Sequence, residues 1–108
     1  LLRDGDRLTG FAVCHAGAGT EAGSGTLYVK FGAAVDERSF EALISSCESL
    51  AAARGMHQLL TGVNLARERV YGALLNRGYR VLIPGVCMQA PNRAGYNRPD
   101  AYVVDDWR

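Results

Sequence analysis

Short apolar segments bounded by turn residues open the chain and predict β-structure. Residues 8–15 and 26–31 are rich in apolar, aromatic and β-branched side chains, and each segment predicts a strand. The Gly5-Asp6 turn predicts a tight hairpin between residues 1–3 and the first of these strands. The first third of the chain is therefore expected to form strands joined by hairpins.

The spacing of apolar positions changes after residue 35 and predicts a helix over 36–55. Asp36 is a favourable N-cap and Gly55 a favourable helix end. Apolar residues three and four positions apart predict one buried face. Its members are Phe40, Leu43, Ile44, Cys47, Leu50 and Ala51.

The second half of the chain continues the alternation. Residues 57–63 predict a strand, and residues 64–78 predict a helix that Asn64 caps and Gly78 ends. The apolar face of this helix is predicted from Ala66, Val70, Tyr71, Leu74 and Leu75. Residues 79–83 and 86–88, separated by a Pro-Gly bend, predict a last strand or pair of strands.

The order strand, strand, helix, strand, helix, strand predicts an α/β protein with a mixed sheet. A strand–helix–strand unit requires a right-handed crossover, so strands 26–31 and 57–63 should be parallel neighbours. The hairpin and the last strand should add antiparallel pairs, and helices should cover the sheet in a sandwich. We expect one domain over residues 1–90 and a tail without periodicity over 91–108, in which residues 101–104 can pair or pack.

Composition narrows the choice of partners. The 108 residues carry 12 basic and 11 acidic side chains, a net charge of +1, which argues against nucleic acid and anionic membranes as partners. No apolar run approaches the roughly 20 residues that span a bilayer. Three widely spaced cysteines, Cys14, Cys47 and Cys87, predict free thiols and a cytoplasmic protein. Because Leu1 opens an apolar segment, we expect the chain to begin within a longer protein.

Several sequence features have both a chemical and a structural interpretation. Residues 17–22 match G-x-G-x-x-A, but a strand follows them instead of a helix, which favours a hairpin loop over a dinucleotide site. His15 and His57 lack partners at metal-ligand spacing, so we expect structural roles and no metal.

Two further features could bind anions. Arginines cluster on and after the second helix, where they form either a solvated face or an anion site; they are Arg67, Arg69, Arg77 and Arg80. The small residues of segment 31–36 precede a helix N-terminus and could cradle an anion. Asp36 would cap the same N–H groups and repel a phosphate.

Residues 10–88 resemble the C-terminal two-thirds of the GNAT superfamily of N-acetyltransferases, without its first two helices. The most specific local match is Gly62-Val63-Asn64, which leads into a helix that closes with residues 74–80, LLNRGYR. In that family an Asn opens this helix, and Gly followed by an aromatic residue closes it. The tail resembles that of bacterial proteins with a GNAT domain upstream.

The resemblance implies an N-acyltransferase that transfers an acetyl group from acetyl-CoA to an amine. The implied cofactor-binding residues are Val29, Phe31, Gly32, Ala33, Ala34 and Asn64. Tyr71 is the implied general acid, although the family often has its tyrosine four residues before the closing glycine, where Leu74 stands here. No metal is implied.

The family's pyrophosphate signature, Arg or Gln followed by spaced Gly residues, is missing between Phe31 and Glu41. The alternative is therefore a non-catalytic GNAT-like module that packs on an upstream catalytic domain of the same chain or forms a homodimer. We expect weak or absent acetyl-CoA binding by this chain alone.

Overall fold

The computed structural model describes residues 1–17, 19, 23–86, 90 and 98–106. These residues form an α/β structure in which two helices accompany one five-stranded mixed sheet. The elements in chain order are β1 (Leu2–Asp4), β2 (Arg7–Gly17), β3 (Gly23–Ala34), α1 (Glu37–Ala53), β4 (Gln58–Thr61), α2 (Glu68–Asn76) and β5 (Tyr102–Asp105).

The sheet is built around β3. The strand order is β1-β2-β3-β4, with antiparallel pairs except for β3 and β4, which are parallel. β5 pairs antiparallel with the last residues of β3. The predicted hairpin and the predicted parallel pair are thus confirmed. The antiparallel β2–β3 pairing also confirms that no helix follows the glycine-rich motif, although residues 18 and 20–22 lie outside the described residues.

Helix α1 forms where its apolar period predicts. Asp36 is its N-cap, and the helix ends before Gly55, whose φ of +70° suits glycine. The buried residues are Phe40, Leu43, Ile44, Cys47 and Ala51. Leu50, which we placed on the buried face, is 40% exposed because it lies on the edge of the apolar stripe.

The Asp36 cap makes a pH-dependent contribution to stability. Its Oδ1 accepts a 2.8 Å hydrogen bond from Ser39 N, and this bond lowers the pKa of Asp36 below its ordinary value of 3.8. A lowered folded-state pKa stabilises the fold above 3.8, and that stabilisation is lost as the pH falls through the folded value. We expect Asp36→Asn to melt below the wild type at neutral pH, and the two melting temperatures to converge in acid.

Thermal melts followed by circular dichroism would measure this effect. Asp6→Asn is the control, since Asp6 is an exposed acid in the turn before β2. A difference between wild type and Asp36→Asn that persists unchanged in acid would show that the Asp36 charge does not stabilise α1.

Helix α2 is shorter than predicted. It begins at Glu68 instead of Asn64, because Asn64 stabilises a separate turn. The Asn64 side chain accepts a 3.0 Å hydrogen bond from Ala66 N, and its carbonyl accepts one from Arg67 N. Side chains of this kind compete with helical hydrogen bonding and hold the chain in a turn. Ala66 therefore lies outside the helix.

The buried face of α2 also differs in part from the prediction. Val70 and Leu74 are buried as expected, together with Ala73, and Leu75 is 44% exposed. Tyr71 is half-buried.

The predicted last strand is wrong in its position. Residues 79–86 contain no strand, and residues 87–88 lie outside the described residues. The strand that completes the sheet is β5, which lies within the segment we assigned to the tail. Val81, Leu82 and Ile83 have strand-forming side chains, but all three are exposed.

The core lies between the two helices and one face of the sheet. Its buried members are Val29, Phe40, Ile44, Cys47, Val70, Ala73, Leu74, Tyr102 and Val104. On the other face Phe11 and Phe31 stack with ring centroids 5.7 Å apart, and Phe31 is 39% exposed. In the part of the chain that the structure describes, both helices thus pack on the same face of the sheet.

Candidate functional site

Strand β3 exchanges one neighbour for another at Lys30. Its parallel pairing with β4 ends at Val29 opposite Thr61, and its pairing with β5 begins at Phe31 opposite Asp105. On the other side, the β2 register shifts between Val13 and Cys14, so that Lys30 is the extra residue of a bulge. The two parallel strands therefore part after four paired residues, and β5 lies along the section of β3 that β4 has left.

The five predicted cofactor-binding residues of β3 all lie at this branch. Val29 is buried in the core, and Gly32 lies against Val104 of β5. Residues 31–34 pair with β2 on one side and with β5 on the other. Because a strand's hydrogen-bonding groups point towards its two neighbours, both edges of this segment are paired with protein. A ligand that needs the outer edge would have to displace β5.

Three contacts fasten β5 to the branch. The Arg67 guanidinium forms a bidentate pair with the Asp105 carboxylate, at 2.9 Å from Nη1 to Oδ1 and 3.3 Å from Nη2 to Oδ2. Bidentate pairs of this kind combine charge attraction with fixed geometry. Tyr102 and Val104 are buried, and the Tyr102 ring lies 6.0 Å from that of Phe40. The Tyr102 hydroxyl also lies near the Arg69 guanidinium and is the main cause that raises the pKa of Arg69.

Gly62, at the end of β4, allows β5 to approach closely. A methyl group placed on Gly62 would overlap the carbonyl oxygen of Asp105 and would lie 2.9 Å from Asp106 Cα. Only a residue without a side chain fits there, so the position of β5 depends on this glycine.

Asn64 and Tyr71, the other predicted site residues, flank Arg67. Asn64 holds the turn before α2, and Tyr71 lies one helical turn after Arg67, with Tyr71 N bonded to the carbonyl of Arg67. The structure thus brings the two residues to the N-terminal end of α2, close to the residue that contacts β5.

The predicted anion cradle at the start of α1 is occupied by a carboxylate. Asp36 accepts the hydrogen bond of Ser39 N, a backbone donor of the first turn. An anion at this helix end would compete with a negative charge that the chain itself supplies.

The arginine cluster mainly contacts the protein itself. Arg67 and Arg69 bind β5, and Arg77 binds α1 through Glu41, Ser45 and Glu48. Arg80 is exposed. The solvated-face interpretation is thus wrong for Arg67 and Arg77, whose partners are carboxylates of this chain.

The described cysteines are free thiols and touch each other. Cys14 of β2 and Cys47 of α1 lie close enough for each thiol to affect the pKa of the other, and Cys87 lies outside the described residues. Burial raises the pKa of Cys14, and burial followed by the neighbouring Cys14 raises that of Cys47 to about 12. Because thiolates are the reactive form, these two cysteines are suited to packing instead of nucleophilic chemistry at neutral pH.

The histidines lie away from the branch. Successive strand residues point to opposite faces, which separates His15 from the thiol of Cys14. The His15 ring lies 6.2 Å from that of Tyr28, and His57 N bonds to Gly25 O. Within the described ranges, no group of three or more His, Cys, Asp or Glu residues could hold a metal ion.

Two open clefts flank the sheet. One of about 600 Å³ lies beside Cys14, His15 and Arg54. A smaller one of about 260 Å³ includes Ala33 and Ala34 together with Phe11. Only the smaller cleft contains predicted site residues.

Sequence reasoning missed the residues that fasten β5. Arg67 appeared only as one member of a cluster, and Gly62 only as part of a resemblance. The alternation of Tyr102, Val103, Val104 and Asp105 is a short strand signal, but its partner could not be inferred from the sequence.

Comparison with protein-family models, with curated proteins and with solved structures found no match for the chain. None of the helices in the described ranges is long and apolar enough to cross a membrane.

Proposed function

We propose that this chain is a GNAT-like N-acyltransferase module that takes acetyl-CoA at the branch of β3, β4 and α2. The observation that carries the proposal is the parting of two parallel strands at Val29. Beyond this point β5 takes the place of β4 beside β3, and an extended amide-containing chain such as pantetheine could pair with the same edge of β3 in place of β5.

The residues around the branch suit the roles that this reaction requires. Strand N–H groups after Val29 would polarise the thioester carbonyl, and charge developing on its oxygen would be stabilised there. An amine would attack the thioester directly, and CoA would leave as a thiolate. Tyr71, on the first turns of α2, is the phenol that would protonate this thiolate as the C–S bond breaks, and the proton that the amine nitrogen loses on forming the amide would restore the phenol.

A second candidate is a non-catalytic GNAT-like module that packs on an upstream catalytic domain or on a second copy of itself. Two observations favour it: β5 covers the edge of β3, and Asp36 holds the start of α1. To bind a cofactor with a diphosphate, the edge of β3 would have to be unpaired and the N-terminus of α1 would have to lack the Asp36 carboxylate. Such a module would be cytoplasmic, as the active one would, and neither candidate involves nucleic acid or a membrane.

Calorimetric titration with acetyl-CoA separates the two candidates. We expect weak saturable binding, because the cradle at α1 carries a carboxylate and no basic signature. Losing two charge-assisted hydrogen bonds weakens binding by roughly 10²- to 10⁴-fold. Adenosine 3′,5′-bisphosphate, which lacks pantetheine, is the control ligand and should bind more weakly if the strand edge contributes.

Binding of acetyl-CoA that exceeds that of the bisphosphate supports the acyltransferase. Equal binding of both ligands would indicate simple attraction of phosphates to arginine. No binding of either by the wild type or by variants with a loosened β5 would favour the non-catalytic module.

A further inference from the structure

Strand β5 covers the edge of β3 that the proposed ligand requires. Residues 31–34 of β3 pair with residues 102–105 in antiparallel register, from Phe31 opposite Asp105 to Ala34 opposite Tyr102. β2 holds the opposite edge of the same segment. An extended ligand and β5 therefore compete for one set of backbone groups.

The connection before β5 is long enough for the strand to move away from β3. Between Asn76, the end of α2, and Tyr102, the described residues contain no helix or strand. The 25 residues from 77 to 101 could span about 80 Å when extended, more than the longest 44 Å dimension of the molecule. The connection between α2 and β5 is thus long enough to permit release of β5.

The fastening of β5 depends on a few replaceable contacts. The Arg67–Asp105 pair is partly exposed, with 16% and 25% of the two side chains accessible. Gly62 adds a close approach that any side chain would prevent. β5 is also held by its backbone pairing with β3, by the buried side chains of Tyr102 and Val104 beside Phe40, and by a 3.5 Å hydrogen bond from Arg67 to the carbonyl of Val103.

We propose that β5 is an intramolecular blocking strand, latched by Arg67–Asp105 and Gly62, which must leave β3 before an acyl-CoA thioester can bind. The proposal rests on the proposed function for the identity of the ligand. If a fraction of molecules has β5 released, the apparent dissociation constant equals the intrinsic one divided by that fraction. Each tenfold increase in the released fraction therefore improves apparent affinity about tenfold until the open form predominates.

Two measurements on three full-length variants test the proposal. Asp105→Asn weakens the ion pair at constant size, Gly62→Ala pushes a methyl group into Asp105, and Gly72→Ala is the matched control. Gly72 lies in α2 with open space around its missing Cβ. Hydrogen exchange of those backbone amides of residues 31–34 and 102–105 that bond across the β3–β5 pair measures release of β5, and calorimetry measures acetyl-CoA binding.

We expect amide exchange in both segments to rise about tenfold or more in Asp105→Asn and Gly62→Ala, but not in Gly72→Ala. Acetyl-CoA affinity should rise in the same two variants by a similar factor. If Gly62→Ala fails to fold, Asp105→Asn supplies both measurements alone.

The outcomes separate this inference from the proposed function. Tight acetyl-CoA binding by the wild type while residues 102–105 stay protected would overturn the blocking strand and leave the function standing. Unchanged exchange in both variants would overturn the latch. Faster exchange without any acetyl-CoA binding would overturn the acyltransferase and, with it, the blocking role of β5.

Discussion

Replacing Phe40 by alanine is expected to lower the free energy of unfolding by about 3–5 kcal/mol. The Phe40 side chain is completely buried, and its ring lies 6.0 Å from that of Tyr102. It therefore joins α1 to β5, two elements that are far apart in sequence. Truncation removes apolar contacts from both and leaves a cavity that the sheet cannot fill.

Urea denaturation followed by circular dichroism would measure the loss. Leu50→Ala is the matched control on the same helix, since Leu50 is 40% exposed, and it should cost less than about 1 kcal/mol. Because a domain of this size is stable by only about 5–15 kcal/mol, Phe40→Leu provides a milder variant if Phe40→Ala does not fold. Equal losses at positions 40 and 50 would contradict the burial of Phe40.

Local sequence patterns were sufficient for the elements whose partners are close in the chain. The apolar period of α1 with Asp36 as N-cap predicted the helix and most of its buried face. The spacing of strand, helix and strand predicted the parallel pairing of β3 and β4, because crossover chirality leaves few alternatives.

Pairing between distant segments could not be predicted in the same way. Val81-Leu82-Ile83 has a stronger strand pattern than residues 102–105, yet the latter segment forms β5. Strand preference depends on what a segment packs against. Here Gly62 leaves room for Asp105, and Arg67 supplies its counter-charge, two features that become adjacent only in the fold.

In the candidate site too, the positions of residues within one strand could be predicted, but the pairing with a distant strand could not. The resemblance placed residues 29–34 on one strand, and the structure has all of them in β3, whereas it places Asn64 and Tyr71 beside Arg67. The resemblance could not show that β5 pairs with that strand. The predicted start of α2 at Asn64 was also wrong. An asparagine that caps a helix and one that caps an isolated turn look the same in the sequence, and Asn64 caps a turn.

Replacing Arg77 by alanine is expected to lower the free energy of unfolding by about 1–2 kcal/mol, since a partly buried charged hydrogen-bond network would be lost. The Arg77 guanidinium follows α2 and binds Glu41 of α1 at 2.8 Å, Ser45 at 3.0 Å and Glu48. The bond to Glu48 contributes most to raising the pKa of Arg77, so the side chain stays charged. Removing it leaves two carboxylates of α1 without their shared cation.

A series at this position distinguishes geometry from charge. Arg77→Lys keeps the charge but replaces the planar fork, whose two terminal nitrogens reach separate acceptors, by one compact ammonium, so it should recover less than half of the loss. Arg80→Ala is the control, because Arg80 is exposed. The loss of unfolding free energy in Arg77→Ala should be smaller at high salt than at low salt. It should not disappear, because the Arg77 side chain is only 24% exposed and salt screens it incompletely. A full rescue by lysine would show that charge alone holds the two helices together, and an equal loss in Arg80→Ala would show that the contacts with α1 contribute nothing.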